Sequence, residues 1–194
     1  MHLAITDAAN NLLERDPLAL LLGMMLDQQV TMEKAFTSPA DLAARMGVDR
    51  LDATAIASAE PAQMEAWFRT PPALHRYPTS MAQRAQALCG LLVEKYHGDA
   101  ATVWDTDDAA QLLRRLKGLP GFGEQKARIF VALLGKQRGI TPPGWEKAAG
   151  DYGQPGFRSV ADIVDADSLA RVRAHKQAMK AAAKVAAATK NATG

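Results

Sequence analysis

Lys117-Gly118-Leu119-Pro120-Gly121-Phe122-Gly123 separates two amphipathic segments, Asp105 to Leu116 before it and Glu124 to Leu134 after it. A short Gly/Pro stretch between two helical patterns predicts a helical hairpin. Gly121 and Gly123 allow turn angles with no side chain in the way, and Pro120 fixes the entry. The loop amides then point outward together at the start of the Glu124 helix. Unsatisfied N–H groups and the positive end of the helix dipole favour an anion there, and a DNA phosphate is the natural occupant. Leu119 and Phe122 are expected to pack inward and anchor the loop, with Lys126 and Arg128 adding charge. A turn that needs glycine only for its geometry has the same local sequence, so the rest of the chain must decide.

Outward from the hairpin, the chain reads as helix throughout. It has 194 residues, enough for one globular core or two small lobes sharing one. Ala, Leu and Met dominate while aromatics make up 6%, which predicts an all-α fold. Asp16-Pro17 caps a run from Leu18 to Val30 that is apolar nearly all round and ends in the polar Asp27-Gln28-Gln29, a buried helix. Thr37-Ser38-Pro39 is expected to open a helix through Ala44 that stops at Gly47. Another is expected from Pro61 to Phe68, ended by Pro71-Pro72, and a longer one from Pro78-Thr79-Ser80 to His97-Gly98. Gly139 to Phe157, with Gly139, Gly144, Gly150, Gly153 and Gly156, reads as a loop; Val160 to about Thr189 reads as an alanine-rich helix fraying toward Gly194.

Several function classes drop out. Cys89 is the single cysteine, so neither an intramolecular disulfide nor a four-cysteine cluster is available, and a reducing cytoplasm fits. His2, His75, His97 and His175 lack ligand spacing, so no metal or other cofactor is expected. No apolar run approaches the roughly 20 residues of a membrane span. The net charge of +2 is small, but Arg114, Arg115, Lys117, Lys126, Arg128, Lys136 and Arg138 crowd the hairpin as a local basic footprint.

Leu119-Pro-Gly-Phe-Gly-Glu-Gln-Lys-Ala-Arg resembles the hairpin of the endonuclease III and adenine-mismatch glycosylase superfamily, the helix-hairpin-helix/Gly-Pro-Asp base-excision repair proteins. Ser80-Met-Ala-Gln-Arg-Ala-Gln-Ala-Leu-Cys and Leu92-Val-Glu-Lys-Tyr-His-Gly are similar to the helix and turn before it there, and Leu22-Gly-Met-Met-Leu-Asp-Gln-Gln-Val-Thr to the family's first barrel helix. The likeness covers roughly residues 16 to 151. It implies a two-lobed, all-helical glycosylase fold without the iron-sulfur cluster: a barrel-like lobe at 16–138 with its hairpin at 109–134, and a second lobe from 1–15 and 139–194. It implies double-stranded DNA as partner, bound by a monomer, with a damaged or mismatched base flipped into a pocket.

By the same resemblance, Gln28 or Gln29 would fill the gap left by the base, and His75 and Tyr77 would stand at the pocket wall. Strand-cutting members carry a lysine where this chain has Gln125; Lys126 lies about 100° further round the helix and is expected to meet backbone phosphate or solvent. Asp151 is the candidate for the family's catalytic aspartate, although its loop is longer than usual; Glu146 is the substitute. The expected activity is N-glycosidic hydrolysis without strand cutting. A non-catalytic binder of DNA structure, or a scaffold whose hairpin meets another protein, stays open.

Overall fold

A computed structural model describes residues 1–192 of the chain, with side chains described to residue 184. Ten α-helices follow one another: α1 Asp7–Arg15, α2 Pro17–Leu26, α3 Met32–Met46, α4 Ala53–Ser58, α5 Pro61–Arg69, α6 Pro78–Tyr96, α7 Ala109–Lys117, α8 Glu124–Arg138, α9 Trp145–Ala149 and α10 Ala166–Ala192. Among the described residues there is no strand, as the composition predicts. The expected fraying toward Gly194 lies outside the described residues.

Asp16 starts the α2 helix by accepting from the amides of Leu18 and Ala19 at 3.0 and 3.3 Å, while its other oxygen takes the Leu51 amide at 2.9 Å. Every residue from Leu18 to Leu26 is buried, so the all-round apolar pattern is satisfied by packing on all sides. The helix ends at Leu26 and not near Val30: Asp27 leaves helical angles, and Gln29 turns to a left-handed φ of 54°.

Two further boundaries differ from the sequence reading. The Thr37-Ser38-Pro39 triplet does not open a helix but lies inside α3, which begins at Met32 under a Thr31 cap. The reason is burial: Ser38 is sealed in the core with its hydroxyl near the carbonyls of Lys34 and Leu74, so it serves a helix already under way. Within the expected loop 139–157, Trp145–Ala149 forms a helical turn and Gly150–Gly153 a 3₁₀ turn.

The helix α8 is the axis of the C-terminal half. Phe130 to Leu134 are all buried, because α7, α9 and the 3₁₀ turns at 150–153 and 160–162 surround it. Gln137 Nε2 lies 3.0–3.1 Å from the carbonyls of Val160, Ala161 and Ile163, pinning the chain that leads into α10. In the other half α4 and α5 pack on α6, and α1 on α2 and α3.

Trp145 lies flat against Gly135 on α8; a Cβ at that position would come within 2.5 Å of the ring. Gly135→Ala sets two effects against each other. Alanine gains about 0.5–1 kcal/mol inside a helix, whereas forcing a methyl into a filled contact costs about 1–3 kcal/mol. We expect net destabilisation of about 1–2 kcal/mol in denaturant titration. A gain in stability would mean that Trp145 moves aside freely.

Candidate nucleic-acid interface

The hairpin loop is held from inside. Leu119 and Phe122 are buried, and the Phe122 ring meets Phe130 edge-on at 5.8 Å, so the anchors predicted from sequence do pack inward. Leu119 is therefore not a surface contact: its amide is spent on the Leu116 carbonyl at 3.1 Å, and its own carbonyl takes the Phe122 amide at 3.0 Å.

The next amides are different. Gly123 is the N-cap of α8 with no side-chain cap, and the first turn's internal bonding begins only at Ala127, which donates to Gly123 O at 2.9 Å. The N–H groups of Gly123, Glu124 and Gln125 thus have no acceptor among the described residues, and all three residues are exposed. Such a helix start is suited to a phosphate.

The two glycines serve separate ends. Gly121 has φ +87°, and a Cβ there would strike Met25 Cγ at 2.8 Å and Arg84 Cδ at 2.9 Å. Gly123 has nothing within 4 Å of its would-be Cβ. The first lets the loop seat against α2 and α6; the second keeps the outer face open.

Arg128 is committed within the protein. It donates to Glu124 Oε1 at 2.8 Å and to the Ala148 carbonyl at 3.1 Å, bracing α9 against α8. Glu124 also pairs with Lys117, and these two cations hold its carboxyl below the usual range.

The glutamine pair divides. Gln28 is half-buried and internally bonded: its Nε2 donates to Met25 O at 3.0 Å and its Oε1 accepts from Arg84 at 3.3 Å. Gln29 is exposed.

His75, which the resemblance puts at the pocket wall, is buried and bonded at both nitrogens. The Tyr77 amide donates to Nδ1 at 3.0 Å, which leaves Nε2–H to donate to Gln28 O at 2.8 Å. With both ring edges occupied and no free face, it supports the loop and cannot stack on a base. Burial also holds its pKa below the ordinary value. Tyr77 is 43% exposed, with the Arg76 guanidinium 5.5 Å from its ring centre.

Lys126 is half-buried and does not simply extend outward: it crosses to α2, where Nζ donates to Met25 O at 2.9 Å. This face of α8 looks onto the end of α2. Burial lowers its pKa from 10.5 to about 8, opposed by the charge of Asp27. Asp27 is raised by burial against the pull of Lys176 and Lys126.

Asp151 is exposed on the 3₁₀ turn after α9. It lines a cleft of about 690 Å³ together with Gln125, Tyr152, Arg158, His175 and Lys176, which brings α8, the 150–153 turn and α10 to one place. Gln125 Nε2 donates to the Tyr152 hydroxyl at 2.8 Å across it.

A family model described as HhH-GPD superfamily base excision DNA repair protein matches residues 22–192, which includes the hairpin, the α2 end and the cleft. The chain belongs to the HhH-GPD superfamily. No curated protein and no solved structure matches it.

Membership in this base excision repair superfamily makes DNA the partner of the protein. No helix among the described residues is long and apolar enough to cross a membrane, and none of them form a cluster of three or more metal-ligating side chains. Sequence reading gave no role to Asp27, which stands half-buried beside Lys126 in this HhH-GPD chain. Its signal was present: a carboxylate placed directly after nine buried residues is rarely solvated on all sides.

Proposed function

We propose that the protein is a DNA glycosylase that hydrolyses the bond between deoxyribose and a flipped, damaged or mismatched base, and that it does not itself cut the strand. The observation that carries this reading is the shared cleft at the start of α8, where a carboxylate, Asp151, stands with an amide, Gln125. A carboxylate beside the sugar stabilises oxocarbenium character and orients water, whereas an amide supplies no nucleophilic amine. In this reading the amides of Gly123, Glu124 and Gln125 grip a phosphate, Gln29 enters the gap left by the base, and Tyr77 stacks beside it. Left-handed φ at a non-glycine residue is uncommon, and the exposed Gln29 adopts it just past the end of α2.

The reading is tested by incubating the protein with duplexes carrying deaminated, oxidised, alkylated or mismatched bases and assaying free base. Salt-sensitive binding with no base released from any duplex would leave a DNA-structure binder. Absence of strand cutting has its own test. Borohydride on an abasic duplex is expected to trap no covalent adduct, because a trapped imine needs an amine at the sugar. A strong adduct lost in Lys126→Ala would make Lys126 a nucleophile and the enzyme a lyase.

A further inference from the structure

The end of α2 and the first turn of α8 hold an acid–base arrangement that the cleft at Asp151 does not account for. Lys126 gives one N–H to Met25 O, the carbonyl that also accepts from Gln28, and two N–H groups remain. Opposite it, Asp27 is half-buried, and among the described residues its carboxylate has no hydrogen-bond partner and closes no ion pair. The other charged groups facing this place are Arg84 from α6, held by Gln28; His75, bonded at both nitrogens; Glu33 from α3, paired with Arg173; and Lys176 from α10. Lys176 also lines the Asp151 cleft, so the two places adjoin.

We propose that Lys126, steadied by Asp27, is the proton donor to the departing base, and that the substrates are therefore bases that are neutral in the duplex, deaminated, oxidised or mispaired, rather than bases made cationic by alkylation. The inference rests on the glycosylase reading above. When the C1′–N bond breaks, its electron pair goes to the base. A neutral base then leaves as an anion unless a proton reaches its ring nitrogen or carbonyl oxygen. The Lys126 ammonium supplies that proton and becomes an amine; water adds to C1′, its proton passes to Asp151 and on to solvent, and Lys126 is reprotonated from solvent. A surface lysine holds its proton too tightly for this task. Burial brings Lys126 down to about 8, near working pH, while Asp27 keeps it charged. A base methylated at N7 of guanine is already cationic and leaves neutral with no donor.

The test is single-turnover base release from about pH 6 to about pH 10 on duplexes carrying uracil, 8-oxoguanine, mispaired adenine or N7-methylguanine. With a neutral base, release is expected to be level at low pH and to fall as Lys126 loses its proton, near pH 8. Asp27→Asn removes the opposing charge and moves this fall to lower pH. Lys126→Gln lowers release by about a hundredfold or more and abolishes the alkaline fall, while binding to an abasic-analogue duplex, which reports folding, is unchanged. Competitive acetylation of the wild-type chain, read by peptide mass spectrometry, is expected to give Lys126 a midpoint well below those of the other lysines. The proposal is overturned if wild-type release and its pH profile survive both substitutions, if N7-methylguanine is the one base released, if Lys126 titrates with the other lysines, or if borohydride traps Lys126. Should the wild type free no base from any duplex, the glycosylase reading itself has failed and the proton donor falls with it.

Discussion

Asp151→Asn is expected to slow single-turnover base release by about a hundredfold or more, while affinity for the duplex stays the same or rises. Departure of the base leaves positive charge on the sugar, so a carboxylate near C1′ stabilises the transition state more than the bound substrate. Asparagine preserves the shape and keeps an acceptor oxygen, so what is removed is charge. The effect should therefore appear in turnover and not in binding. Asp151 sits on an exposed turn and its carboxylate makes no hydrogen bond among the described residues, so its replacement should leave the fold intact and the kinetics interpretable. Full activity in the variant would move the role to Glu146, on the helix just before it.

The second large effect is expected at Gly123. Gly123→Val should weaken duplex binding by roughly ten- to a hundredfold, the range for losing one or two hydrogen bonds to a charged group, and should flatten the decline of affinity with salt. Because nothing lies within 4 Å of the Cβ that valine would add, the side chain fills the space outside the loop without disturbing the protein. Gly121 is the wrong place for this experiment. There a side chain collides with Met25 and Arg84 in a left-handed backbone, so lost binding would report a damaged loop. Unchanged binding and salt dependence in a folded Gly123→Val protein would mean that the hairpin is not the grip.

Much of this architecture could be read before any coordinates. The run after Asp16-Pro17 announced a buried helix, and Leu119 and Phe122 announced an anchored turn, because apolar residues in an exposed loop need a reason. Short elements were less visible. Ala53–Ser58 and Trp145–Ala149 are too brief to establish a 3.6-residue period, and their stability comes from α6 and α8 beneath them. Ser38-Pro39 looked like a helix start because local chemistry favours that, and tertiary burial overrode it. The site was harder still. Periodicity tells which way Lys126 points around α8 but not what stands opposite, and the Met25 carbonyl lies 101 positions away in sequence. The surroundings of His75 are hidden for a related reason: its partners, Gln28 O and the Tyr77 amide, are known only once the loop is closed over α2.

Met25 gathers these distant parts. Its side chain limits how closely the Gly121 loop can approach, and its carbonyl receives both Lys126 and Gln28, one residue before the exposed Gln29. In the proposed reading, the amides of α8 that would hold a phosphate and the segment that carries Gln29 are therefore tied to the same helix end. A molecule built this way would work as a caliper. The offset from the held phosphate, and not the chemistry of the base alone, would decide which nucleotide is drawn out.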